Sequence, residues 1–128
     1  MLSQNHLKAY LLNKPFAVLD FPFGEEVMVF KVKHKMFATL SRGKGKDTKT
    51  EQPWWLNLKC DPDEALALRD IFESIIPGYH MNKRLWNTVI IDGSIPTGEI
   101  ERMIDNSFNL VVSNLPKKEQ RSIVLKNN

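Results

Sequence analysis

The sequence predicts an α+β fold, an antiparallel β-sheet with helices packed on one face. Two observations carry this. Helix-like and strand-like patterns follow one another in the order helix, several strands, helix, strand, helices. Short connections join the neighbouring strand-like runs, which suits antiparallel pairs and is too little chain for parallel crossovers. At 128 residues the chain, 1–128, is read as one domain with a core of its own.

Each element has a local reason. Ser3 is placed to cap a first helix whose Leu7, Tyr10 and Leu11 make one apolar stripe. Lys14-Pro15 ends it, because proline disfavours helical geometry in the residue before it. Residues 16–23 are apolar and extended, with Pro22 and Gly24 marking a turn. Residues 27–32 and 36–40 read as a hairpin about the polar Lys33-His34-Lys35. Residues 41–53 form a loop or an extended hairpin tip, and a strand follows over 54–59.

Asp61-Pro62-Asp63-Glu64 is the sharpest local signal: a cap, a proline at the first helical position and two acids at the positive end of the dipole. The helix it starts is expected to run to about Ile76, stopped by Pro77-Gly78. A strand over 86–91 closes at Asp92-Gly93. Thr97 is placed to cap a helix carrying Ile100, Met103, Ile104, Phe108, Val111 and Leu115 on one side. Beyond Pro116, a short basic helix covers 117–125.

Alternation along the strands then sorts side chains between the two faces. Met28, Phe30, Val32, Met36, Ala38, Leu40, Trp54, Leu56, Leu58, Val89 and Ile91 are expected to point toward the helices. Val29, Lys31, Lys33, Phe37, Thr39, Trp55, Asn57, Lys59, Trp86 and Thr88 are left for the other face. Lysines neutralise phosphates and aromatic rings stack on bases, so that face suits single-stranded or distorted nucleic acid. Cross-strand aromatic pairs also stabilise a sheet with no ligand at all.

Apolar residues are 42% and charged residues 26%, the usage of a globular chain. No run approaches the roughly 18 apolar residues of a membrane span, and the start of the chain lacks a signal-peptide pattern. With one cysteine, Cys60, no intramolecular disulfide forms, and a cytoplasmic location is expected. The net charge is +3, but residues 31–49 hold seven basic side chains against the single acid Asp47. So concentrated a field attracts polyanions, although the same run also fits a solvated loop without a partner.

Recognisable catalytic patterns are missing. His6, His34 and His80 are far apart and lack metal-ligand spacing near Cys60, so no metal site is expected. Ser41-Arg-Gly-Lys-Gly-Lys46 lacks the phosphate-loop pattern, and no serine sits in a nucleophile elbow. Cys60 follows Lys59 just ahead of a helix start, which either activates the thiol or, more commonly, places a small apolar residue at a strand end. No catalytic residue and no cofactor are assigned.

The stretch Pro77-Gly-Tyr-His-Met-Asn-Lys-Arg-Leu-Trp-Asn-Thr-Val89, followed by Ile91-Asp-Gly-Ser94, closely resembles the signature of the YjbR/MmcQ family. Asp20-Phe-Pro-Phe-Gly-Glu25, Val29-Phe-Lys-Val32, Lys35-Met-Phe37, Asn57-Leu-Lys-Cys-Asp-Pro62, Ile104-Asp105 and Ser107-Phe108 resemble other parts of it. The resemblance implies a frataxin-like (CyaY-like) fold and a DNA-binding role of a double-wing type. It draws attention to Tyr79, His80, Asn82, Lys83 and Trp86, while Leu85 departs from a position where the family commonly has histidine. Iron binding of the frataxin kind is disfavoured, because the first helix carries no carboxylate.

The expected function is therefore non-catalytic binding of nucleic acid, DNA rather than RNA, by a monomer. Lys31, Lys33, Lys35, Arg42, Lys44, Lys46, Lys59, Lys83 and Arg84 would contact phosphate, Trp55 and Trp86 would stack, and His80 and Asn82 belong to the same surface. The alternatives are a regulatory adaptor using the basic hairpin on an acidic protein partner, and a small-molecule site or enzyme around residues 79–86. A membrane partner is not expected.

Overall fold

The computed structural model describes residues 2–43 and 52–127. Helix α1 (Gln4–Leu12) leads into strands β1 (Ala17–Asp20), β2 (Met28–Val32), β3 (Lys35–Arg42) and β4 (Trp54–Lys59). Helix α2 (Pro62–Ile71), strands β5 (Ile75–Pro77) and β6 (Trp86–Ile91), and helices α3 (Thr97–Ser113) and α4 (Lys117–Asn127) follow. The strands form one sheet in the order β1-β2-β3-β4-β6-β5, every neighbour pair antiparallel. No helix among the described residues is long and apolar enough to cross a membrane.

The helices share the sheet's inner face. One core cluster joins Leu7 and Leu11 of α1, Leu68 of α2, Phe108 of α3 and Ile123 of α4 with Phe30, Leu40, Leu56 and Val89 of the strands. Helix α1 has 9 residues, too few to persist alone. Its two fully buried leucines contribute about 3–6 kcal/mol, which holds it in place. Ser3 caps it as expected, its Oγ accepting the His6 N–H at 3.1 Å. Asp61 does the same for α2, accepting from the N–H groups of Asp63 and Glu64.

Val32 pairs with Lys35, leaving Lys33 and His34 as a two-residue turn with φ of 49° and 71°. Two left-handed residues match the twist of the flanking strands, which is what a tight hairpin requires. Lys33 is held there by Glu119 at 3.3 Å and by the Phe16 ring 3.9 Å beneath its ammonium.

Three expectations need correction. Helix α2 stops at Ile71, not near Ile76, and Ile75–Pro77 forms a short strand on β6 instead. Thr97 does not cap α3: Pro96 occupies the cap position, and no side chain supplies a cap hydrogen bond. Phe37 and Met36 exchange roles: Phe37 points to the helices, not to the outer face, and Met36, expected toward the helices, pairs with the outward Lys31 and lies outside the core cluster. Phe30 pairs with Ala38 but Lys31 with Met36, so Phe37 is an extra residue in β3, a bulge. Its ring packs edge-on against Phe108 at 5.3 Å.

Ser107 of α3 secures this bulge, its Oγ donating to the Phe37 carbonyl at 2.6 Å and accepting the Lys59 N–H at 2.8 Å. Both backbone groups lose their partner in Ser107→Ala. That variant should lose about 2–4 kcal/mol in urea unfolding, since each orphaned buried group costs about 1–3 kcal/mol. A loss below 1 kcal/mol would mean that water replaces the hydroxyl.

Candidate functional site

The outer face is not covered by helices. At its centre Thr39, Asn57 and Thr88 are register neighbours on β3, β4 and β6. All three are buried, and each is paired. Asn57 Nδ2 donates to Thr39 Oγ1 at 3.0 Å, and the Thr88 hydroxyl donates to Asn57 Oδ1. Their remaining valences hold the chain that crosses above them: the Tyr79 N–H donates to Thr88 Oγ1 at 2.9 Å, and the Tyr79 carbonyl accepts from Asn57 Nδ2 at 3.4 Å.

The connection between β5 and β6 is thereby clamped onto the sheet. Gly78 donates its N–H to the Trp86 carbonyl at 2.9 Å, and a Cβ at Gly78 would lie 2.7 Å from Trp86 Cβ. Arg69 of α2 ties the far side, its Nε donating to Asn87 Oδ1 at 2.7 Å and its guanidinium reaching the carbonyls of Lys83 and Trp86. Lys83, itself exposed, reaches back across the connection and donates to the Gly78 carbonyl at 3.0 Å. His80, so anchored on both sides, adopts a left-handed φ of 59°. Such a conformation costs a non-glycine residue about 1–2 kcal/mol.

A cleft of about 940 Å³ opens beside this segment, at the Arg42 end of β3. Aromatic rings reach it from two connections: Phe21 and Phe23 from β1–β2, Tyr79 and His80 from β5–β6. Trp55 of β4 stands edge-on to Tyr79 at 5.3 Å, and the Tyr79 and His80 rings lie 4.0 Å apart. Gly43 lets Trp55 lie flat against the backbone, since a Cβ there would fall 2.1 Å from its indole nitrogen. Glu25 and Glu26 line the same cleft.

The sequence of residues 12–110 matches the YjbR family model. The chain belongs to the YjbR family. Among its relatives, YbdF of Escherichia coli O157:H7 is 38% identical over 116 residues, covering 91% of this chain and 89% of that protein. YjbR of E. coli K12 is 28% identical over 120 residues, covering 94% and 96%. A Deinococcus radiodurans crystal structure with a DUF419 domain superposes with a TM-score of 0.82 at 31% identity, covering 96% of this chain and 88% of that one. A Pseudomonas syringae crystal structure gives 0.73 at 28% identity, covering 85% and 98%. The matched span takes in both aromatic connections and the polar row of this YjbR chain.

The residues singled out from the sequence separate into two groups along the YjbR sheet. Lys35 opens β3 and Arg42 closes it, roughly 24 Å apart at strand rise. At the Lys35 end lie Lys33 and the register pair Lys59 and Trp86. Arg42 lies at the cleft, its guanidinium 4.0 Å from the Trp54 ring and donating to the Gln52 carbonyl. Lys44 and Lys46 are outside the described residues. Lys31 is engaged by Asp20 at 3.0 Å, and that ammonium holds the Asp20 carboxyl below its ordinary range. Lys35, Lys59 and Arg84 carry no ion pair among the described residues. Asn82 accepts the Arg84 N–H at 3.0 Å, forming a local turn.

Sequence reasoning missed Phe21, Phe23, Thr39, Asn57 and Thr88 as a site. A signal for the phenylalanines existed: two aromatics inside a Pro/Gly turn have no strand face in which to bury. Cys60 is buried at the end of β4. Burial, reinforced by Glu64 and Asp61, pushes its thiol up to about 11 and keeps it neutral, which favours the packing role over an activated thiol.

Proposed function

We propose that this chain is a cytoplasmic, non-catalytic binding protein for nucleic acid, with DNA its target. The supporting observation is the convergence at one end of β3. An open aromatic cleft formed by Phe21, Phe23, Trp55 and Tyr79 lies where Arg42 leads into the run containing Lys44 and Lys46. Stacking surfaces and basic side chains are the two components of single-strand recognition, and Lys8 and Arg42 line the cleft together with the rings. Lys35, Lys59 and Arg84 offer further cations at the opposite end of the sheet, suited to a ligand long enough to span both.

Fluorescence anisotropy with labelled duplex and single-stranded DNA at two salt concentrations tests this. Micromolar or tighter affinity that falls steeply with salt is expected. The double variant Lys44→Glu/Lys46→Glu should bind more weakly, with its log–log salt slope reduced by about 2. Absence of binding to either form at low salt would overturn the reading and favour an acidic protein partner for the same basic run.

A further inference from the structure

We infer that a second copy of this chain docks its helix α4 on the exposed face of α2, so that copies associate head to tail in place of the monomer expected from the sequence. The contact is separate from the cleft, which no residue of α2 or α4 lines. Two exposed helix faces of opposite charge lead to it.

The first face is acidic and apolar. On α2, Asp63, Ala67, Asp70 and Ile71 fall on one stripe at helical spacing, all exposed, with Leu66 beside them. Ile71 is 68% exposed and Leu66 59%, so both leave apolar area in water that a partner could cover. Asp63 and Asp70 carry no ion pair among the described residues. The charges around them are mostly engaged. Arg102 holds Glu64 and Glu99. Arg69 turns to Asn87 and the Lys83 carbonyl, nearly opposite Ile71 around the helix, so Lys83 and Arg84 lie on that far flank. The capping Asp61 and the exposed Glu73 extend the negative field at the two ends.

The second face is basic and apolar. On α4, Lys117, Arg121, Val124 and Leu125 share one exposed stripe, with Lys118 beside it. Val124 is 56% exposed and Leu125 75%. Lys117, Lys118 and Arg121 carry no ion pair among the described residues. The helix has a single acid, Glu119, and it is turned to Lys33 at 3.3 Å. Within one chain the two faces do not meet: α2 packs on β5 and β6, while α4 is tied to the β2–β3 turn through Lys33.

The two stripes match position for position. Laid parallel, Lys117 meets Asp63 and Leu125 meets Ile71, while Arg121 lies over the small Ala67 within reach of Asp70. Each stripe spans about 12 Å from its first residue to its last. Either helix paired with its own kind would set like charges together, so charge selects α4 on α2. The patches are different surfaces, which makes the contact heterologous. One pair of three-turn helices buries less than the roughly 1,200 Å² at which stable interfaces begin, so the association is weak and salt-sensitive.

Sedimentation of the full chain from about 10 µM to about 1 mM, at low and high salt, tests this. The weight-average mass should rise with concentration at low salt and fall back toward one copy at high salt. Asp63→Lys/Asp70→Lys and Lys117→Glu/Arg121→Glu should each self-associate at least about tenfold more weakly. Mixed in equal amounts they should associate again, because each α4 then meets an α2 of opposite charge. Leu125→Ala, which alters no charge, should weaken association severalfold and leave its salt dependence unchanged. A single-copy mass for the parent at every concentration would overturn the inference. So would parent-like association of both charge variants, or a mixture that stays monomeric. Nucleic-acid binding is read separately, by anisotropy on dilute protein, and stands or falls apart from these outcomes.

Discussion

Asn57→Leu is expected to lose about 2–4 kcal/mol of stability and the ordered cleft with it. The side chain it replaces is the middle of a buried hydrogen-bonded row. Without it the Thr88 hydroxyl has no acceptor, Thr39 Oγ1 no donor, and the Tyr79 carbonyl loses its contact with the sheet. Each orphaned buried polar group costs about 1–3 kcal/mol, more than the leucine regains by being apolar, because its neighbours remain polar. Removing both members of one bond should recover part of the loss, so Thr39→Val/Asn57→Leu should be more stable than Asn57→Leu alone. Thr88→Val added to that pair should be worse again, since the Tyr79 N–H then has nothing to donate to. Urea unfolding of the series decides it. A loss below 1 kcal/mol for Asn57→Leu would mean that the row is hydrated and does not hold the segment down.

Gly78→Ala should cost about 2–3 kcal/mol and weaken any ligand that depends on Tyr79. The added methyl would stand 2.7 Å from Trp86 Cβ and 2.9 Å from the Trp86 carbonyl oxygen, the atom that accepts the Gly78 N–H. Neither is the far end of a flexible side chain, so the two chains must separate, and overpacking of this kind costs about 1–3 kcal/mol. Gly98→Ala is the internal control. In α3 the new methyl meets nothing within 4 Å, and alanine is the better helix former by up to about 1 kcal/mol. Thermal unfolding should move the two variants in opposite directions. A Gly78→Ala protein as stable as the parent would show that the 78–86 connection is loosely seated.

The fold was legible where local chemistry and tertiary placement agree. Ser3 and Asp61 cap their helices because a short oxygen-bearing side chain before an apolar stripe has one favourable use. The end of α2 was not legible. Phe72, Ile75 and Ile76 continue an apolar pattern that helix and buried strand share, and periodicity alone does not separate them. Pairing with β6 decides the matter, and Pro77 is tolerated because β5 is an edge strand. The Phe37 bulge defeats alternation for a similar reason: one inserted residue turns a ring to the opposite face without altering composition.

The candidate site was half legible. Trp55 was singled out by strand parity, His80 by motif and Arg42 by the basic run, and the structure lines one cleft with all three. The engagement of Lys31 and Lys33 was hidden, because Asp20 and Glu119 become their partners only through folding. Asn57 and Thr39 read as ordinary outward polar residues. Nothing in a linear pattern says that an outward face will be sealed by a returning loop.

That seal has a consequence for the order of assembly. The Thr39–Asn57–Thr88 row joins residues 18 and 31 positions apart in the chain, and Tyr79 docks only on the finished row. Closing those distances costs chain entropy before any of the bonds can compensate. An emerging or partly refolded polypeptide can possess its first hairpin and its basic run, yet it has no cleft until β6 is seated. Charge is available early and the aromatic platform late, so under the proposed function a nascent chain would attract a polyanion before it could grip one.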